Sequence, residues 1–490
     1  MVRASSSIGL LAFLAASRST FAKELPVDEV RAAELYDSGY MHEELMARKM
    51  DQFARQKEAG AYNSTQYPKL GYVPCVDGIA EAIAGDANNT FRCSNADLYS
   101  FVSHAELGDE LGEGSSSWGW TSEDGREFVA IGQYQGTSFA EITSEGQLVY
   151  LGRLPAYSEP SQWREIRSYK NFMIIGSEAV GHGVQIFDMT KLLDLNSTSP
   201  HEFTQDDLTG HFNALLPVGR AHNVVVNEEL NYGAAVGAQP RNDSICAAGL
   251  NFFDLTDPSN PVSLGCASGD GYVHDAQCLV YRGPDTRYYG TDICFGYNED
   301  TLTIYDVTDK NTTVIIARVS YEGASYTHQG WLLHDDSFLV LDDEYDEEEA
   351  NGPAADGYPV TYVWDIRNLS SPIQTGYYKS STKGIDHNQY VIDDYIYQSN
   401  YGAGLHVLDA RSIPTDPTGA GICQAAFFDI YPENDQEEGG GSVEFVGSWS
   451  SYAFFPSGYI FINTIERGGW VVKLTSKDCP GATKPNRFRR

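Results

Sequence analysis

DHNQYVIDDYIYQSNYGAGLHVLD, residues 386–409, is one full copy of the pattern that organises this chain. A histidine in a short polar cluster opens it, an apolar Tyr-rich run follows, polar and glycine residues break it, and a second apolar run ends on Asp409. Short apolar runs bounded by Gly, Asn, Asp or Pro are strand chemistry. The opening recurs as Ala221-His222-Asn223, Val273-His274-Asp275 and Thr327-His328-Gln329. The four histidines stand 52, 54 and 59 residues apart in a chain that has only 11 His. A period of about fifty residues with strand content is the signature of a repeat architecture.

Seven copies can be read from residue 115 onward. The first holds Trp118, Trp120, EFVAIG (127–132) and GTSFAEI (136–142); the second holds Trp163, Glu165, NFMIIGSE (171–178) and GVQIFD (183–188). The third to sixth each open on one of the four histidines, and the seventh holds Trp449, GYIFIN (458–463) and GGWVVKL (468–474). With the opening strand and a linking strand such as VSLGCA (262–267), each unit carries about four strands, which suits four-stranded blades around a central channel. A solenoid is the competing architecture, but it needs polar capping repeats, and none is evident. The expected fold is therefore all-β: a seven-bladed β-propeller with a short helical, disulfide-pinned N-terminal extension. Asp188, Asp254, Asp306, Asp365 and Asp409 close five of the units and read as acceptors for backbone N–H groups in the following turn.

The expected division of the 490 residues is a signal peptide at 1–22, an N-terminal extension at 23–114, the propeller at 115–477 and a tail at 478–490. Arg3, the apolar stretch 8–16 and the small residues Thr20 and Ala22 have the order of a secretory signal. In the extension, Leu45, Met46, Lys49, Met50 and Phe53 recur at helical spacing, which predicts a helix over 38–58. No later apolar run approaches the ~18 residues of a membrane span. N-glycosylation sequons stand at Asn63, Asn88, Asn196, Asn242, Asn311 and Asn368. Eight cysteines allow 105 pairings. Sequence neighbours favour Cys75–Cys93, Cys246–Cys266, Cys278–Cys294 and Cys423–Cys479. Zinc is a poor alternative, because no Cys-x-x-Cys pair exists. The net charge of −35 repels nucleic acid and anionic lipid, so neither is an expected partner.

Several stretches together resemble the secreted choice-of-anchor B family, built from LVIVD-type β-propeller repeats. They are SSWGW (116–120), AHNVVVNEELNYGAAVG (221–237), YVHDAQCLVYRGPDT (272–286), ICFGYNEDTLTIYDVT (293–308), YTHQGWL (326–332), LDDEYDE (341–347) and residues 386–409, with 75–95 also fitting. The resemblance covers about residues 70–475 and implies an extracellular propeller. Members are named for interchangeable C-terminal anchors. This chain ends Phe488-Arg489-Arg490 with no hydrophobic tail, so the expectation is a freely secreted form.

Residues at one repeat position lie on a ring around a propeller axis, so His222, His274, His328 and His387 could ligate a transition metal (Cu, Zn, Fe or Ni). Glu165, at the matching place in the second repeat, could add a carboxylate, and Asp275 and Asp386 could orient imidazoles from behind. The alternative is structural: histidines that cap strands or hydrogen-bond a neighbouring blade. Asp342, Asp343 and Glu344 begin an acidic run that could hold calcium, although the run lacks the spaced ligands and turn glycine of an EF-hand. Gly-x-Ser-x-Gly and phosphate-binding glycine loops are absent. Two functions follow as expectations. One is an extracellular binding module for a protein, glycan or cell-surface or matrix component, with a divalent metal at the axis. The other is a metal-dependent extracellular oxidoreductase or hydrolase using the His ring.

Overall fold

In a computed structural model the described residues are 23–109, 111–241 and 245–479. The expected signal peptide, the Asn242 sequon and the end of the tail lie outside them.

Seven sheets, each built on four antiparallel strands, form a closed ring. The innermost strands are Gly114–Thr121, Arg164–Tyr169, Asn223–Asn227, Asp275–Val280, Thr327–Leu333, Asn388–Ile392 and Ser448–Tyr452. Each packs against the next, and the seventh returns to the first. The blades are numbered one to seven in that order. Apolar residues alternate onto the blade faces, so the core lies in wedges between neighbouring blades. Phe139 of blade one stacks on Phe187 of blade two at 4.5 Å, and Phe212 of blade two on Phe253 of blade three at 4.6 Å. The five closing aspartates behave as their sequence predicts. Asp188, Asp254, Asp306, Asp365 and Asp409 accept the backbone N–H two residues on, at 2.7–3.1 Å.

The propeller starts earlier than residue 115. Ala96–Ser103 pairs with Gly468–Leu474 as the outer strand of blade seven, so early chain and late chain share one sheet and close the ring. Nothing in the local sequence announces this, because the strand completes a repeat whose other three strands lie more than 340 residues later. Thr90–Ser94 and Ile79–Glu81 extend blade six, and Glu24–Leu25 extends blade four.

All four disulfides join the expected neighbours: Cys75–Cys93, Cys246–Cys266, Cys278–Cys294 and Cys423–Cys479. The asparagines at 63, 88, 196, 311 and 368 are exposed. Among the described residues no helix is long and apolar enough to cross a membrane. The predicted N-terminal helix spans Tyr40–Glu58. It buries His42, Leu45, Lys49, Gln52 and Phe53 along one face. Leu45 and Phe53 pack with Tyr326, Tyr401, Phe445 and Trp449, so the helix lies across one mouth of the channel.

Candidate metal centre

The four histidines converge. Ring centroids are 4.2 Å apart for His222 and His274, 4.2 Å for His274 and His328, and 4.4 Å for His328 and His387. Each stands at the start of an inner strand, so the ring symmetry brings together residues that the sequence spaces by about fifty. In blade five a β-bulge helps. Thr327 pairs with Asp343 and Gln329 with Asp342, leaving His328 as the extra residue. A bulge re-aims a side chain in this way. Trp449 holds the same kind of position in blade seven.

Backbone and side-chain acceptors fix three of the four imidazoles. His274 Nδ1–H donates to the His328 carbonyl at 2.9 Å, and His387 Nδ1–H to the Trp449 carbonyl at 2.7 Å. A carbonyl only accepts, so these contacts place the proton on Nδ1 and leave the Nε2 lone pair available. His222 Nδ1 bonds Glu178 Oε1 at 2.5 Å, and Glu178 is also held by Arg220 at 2.8 Å. His328 Nδ1 lies 3.4 Å from Asp342 Oδ1 without hydrogen-bonding geometry. Burial, reinforced by the neighbouring imidazoles, pushes His274 and His328 well below the ordinary histidine range, and burial takes His387 to about 4. These three rings are therefore neutral at physiological pH.

Glu344 is the carboxylate of this group. It follows the second strand of blade five, Phe338–Asp343. Lys49 Nζ and the Tyr401 hydroxyl each donate to its Oε1 at 2.5 Å. Its Oε2 has no hydrogen-bond partner and lies 3.8 Å from His328 Nε2. Burial raises the Glu344 carboxyl, but Lys49, His387 and the Tyr401 hydroxyl together outweigh it, and the net shift is downward, which keeps the group ionised. Ligand atoms of His274, His328 and Glu344 all lie within 4.8 Å of one another. Neutral imidazole nitrogens with one ionised carboxylate oxygen are a donor set for a borderline divalent ion such as Zn²⁺ or Cu²⁺.

Other expected residues have different employment. Glu165 Oε1 accepts from Trp449 Nε1 at 3.3 Å and its Oε2 faces Arg167 at 3.4 Å, which ties it to the indole side of the ring. Asp275 accepts from Gln329 at 2.7 Å, from the Ala276 amide at 2.7 Å and from Arg167 at 3.5 Å. Asp386 groups with Asp346 and Glu347. The orienting contacts expected of Asp275 and Asp386 are made instead by two backbone carbonyls and Glu178, because adjacent residues of an extended chain point to opposite sides. Asp342, Asp343 and Glu344 separate for the same reason. Asp343 accepts from the Ser325 and Tyr326 amides and the Tyr321 hydroxyl, whereas Asp342 and Glu344 both face His328; Asp342 is held by the Gln329 amide, and Glu344 Oε2 lies on the Nε2 side.

The helix adds residues that the repeat pattern does not contain. Lys49 is 3% exposed and lies between Glu344 and the rings of Phe445 and Trp449. His42 Nδ1 meets the Tyr326 hydroxyl at 2.7 Å, and its ring is 6.1 Å from that of His222. The sequence holds a trace of this: Lys49 falls on the same helical stripe as Leu45 and Phe53, where a lysine is out of place on a solvated helix. Beside the helix a cleft of about 630 Å³, lined by His42, Met46, Met50, Trp163, Glu178 and Arg220 among others, leads from the surface to Glu178, the partner of His222.

No family model matches the chain. A 219-residue stretch, 44% of the chain, is 23% identical to the protein transport protein SEC31 of Dictyostelium discoideum, and the match spans 14% of that protein's length. The solved structure titled Kuenenia stuttgartiensis hydrazine synthase superposes with a TM-score of 0.49 at 9% identity, covering 74% of this chain and 96% of that one.

Proposed function

We propose that this chain is an extracellular β-propeller binding module that holds one transition-metal ion at the helix-covered end of its channel. His274, His328 and Glu344 Oε2 would be the first donors, with the Nε2 atoms of His222 and His387 beside them. The observation that carries this reading is the state of the rings. They are packed 4.2–4.4 Å apart, and three have Nδ1 committed to a fixed acceptor. Orientation of an imidazole through its other nitrogen is the usual support of a metal-ligating histidine. A bound divalent ion would supply Lewis acidity and cross-link blades four and five.

Three observations support export: four disulfides, five exposed sequon asparagines among the described residues, and the resemblance to choice-of-anchor B proteins. A propeller suits an interaction module, because its loops sit on a rigid frame. The partner class proposed is an extracellular protein, glycan or matrix component. A metal-dependent oxidoreductase or hydrolase is the second reading, favoured by the cleft that reaches Glu178 beside His222.

Elemental analysis of the purified protein tests the metal. One transition-metal ion per chain is expected, and it is lost in a His274→Ala/His328→Ala double variant. Wild-type protein that takes up no Zn²⁺ or Cu²⁺ when supplied with it, and melts at the same temperature with and without the ion, overturns the proposal.

A further inference from the structure

Next to the histidines along the chain lies a second group that the first centre does not use. Asp346 and Glu347 sit in the connection after Phe338–Asp343 of blade five, and Asp386 immediately precedes His387 of blade six. Carboxylate oxygens of the three lie within 4.8 Å of one another. The residues are 0%, 4% and 1% exposed.

Clustered acids by themselves mean little. What sets this group apart is what its oxygens lack. Asp346 Oδ2 accepts from the Tyr362 hydroxyl at 2.8 Å. Asp346 Oδ1, both oxygens of Glu347 and both oxygens of Asp386 meet no well-aligned donor; the nearest polar groups are each other's carboxyl for Asp346 and Glu347, and the residue's own amide for Glu347 and Asp386. Among the described residues no Lys, Arg or His forms an ion pair with any of the three. Asp386 is the independent signal. It comes from a different blade, it is 1% exposed, and its side chain is unpartnered and turned toward the blade-five connection. Buried carboxylates are ordinarily paired, hydrogen-bonded or bound to a cation, because desolvation of an unpaired charge costs far more than a fold can spare.

We propose that Asp346, Glu347 and Asp386 form an oxygen-only site for a hard divalent cation, Ca²⁺, which joins the blade-five connection to blade six. Oxygen-only ligation selects against the ions suited to the histidine centre. Ca²⁺ takes oxygens at about 2.3–2.6 Å, so two ligands across one ion stand up to about 5 Å apart, the span found here; Mg²⁺, at about 2.0–2.1 Å, requires a tighter cage. The site is independent of the histidine centre, although both pass through the dipeptide Asp386-His387. One residue faces each ion, as the two-residue period of extended chain dictates.

The test uses full-length protein stripped with EDTA, with Ca²⁺ and Tb³⁺ as probes. Tb³⁺ takes Ca²⁺-type oxygen sites, and the Tyr362 ring would sensitise its emission. Sensitised emission that saturates at one Tb³⁺ per chain, is displaced by Ca²⁺, and falls at least tenfold in Asp386→Asn is the expected result. The same emission persists in His274→Ala/His328→Ala, which separates this site from the metal centre. Because Asp386→Asn could disturb folding, Glu347→Gln is measured in parallel, and the melting temperature of wild-type protein is recorded with and without Ca²⁺. A rise with Ca²⁺ supports the site. No saturable emission, or no Ca²⁺ shift together with an Asp386→Asn variant more stable than wild type, overturns it, since the group then holds protons instead of a cation.

Discussion

Blades three to six and blades seven, one and two share one backbone plan and differ in what stands at the head of the inner strand. The first arc presents His222, His274, His328 and His387. The second presents Trp449 and Glu165, bonded to each other at 3.3 Å. His328 and Trp449 even occupy the same kind of β-bulge. The scaffold thus supplies equivalent positions, and residue choice makes one side of the channel a row of imidazoles and the other an indole wall. Lys49, descending from the helix, touches both sides through Glu344 and Trp449.

The largest effect is expected where the helix meets the first arc. In metal-free protein, Lys49→Ala leaves Glu344 as a buried carboxylate without its cation, and denaturant unfolding should show a loss of about 3–5 kcal/mol. Glu178→Gln removes the anion that holds His222. If that ring contributes to the centre, metal affinity measured by chelator competition should fall by about 10–100-fold. On the opposite arc, burial pushes Glu466 up to about 7, above its ordinary carboxylate value. The folded state then binds this proton more tightly than the unfolded state. Its contribution is complete at low pH and is lost as pH rises through about 4.5–7, so stability falls over that window. Glu466→Gln should flatten the profile by roughly 2 kcal/mol in urea melts compared between pH 5 and pH 8. The smallest effect belongs to Glu165→Gln, which should leave metal affinity within about threefold, the scale of a lost contact outside the ligand set. A tenfold loss there would place Glu165 among the ligands and erase the difference between the arcs.

The repeat count, the strand runs, the turn aspartates and the disulfide partners were legible because each is a local or periodic signal. So was the convergence of the histidines, since identical places in successive blades must lie on one ring. Glu344 was visible only as part of an acidic run, and the run mixes three destinations: Asp343 accepts from turn amides, Glu344 reaches the histidines, and Asp346 and Glu347 turn toward Asp386. Extended chain sends neighbours to opposite faces, so adjacency in sequence misleads about adjacency in space. His42 carried no signal within the repeats, because the helix that bears it lies outside them.

By itself the sequence determined an all-β ring of seven blades, since the apolar period and turn residues leave the chain few other ways to bury its strands. Only the tertiary structure decided how the ring closes, which carboxylate joins the histidines, and that a lysine covers them. Those contacts join residues 295 or more positions apart: Ala96–Ser103 with Gly468–Leu474, and Lys49 with Glu344. Pairings of that range leave no local pattern. They arise from packing once the blades have formed, when a strand edge needs a partner and a buried charge needs its opposite.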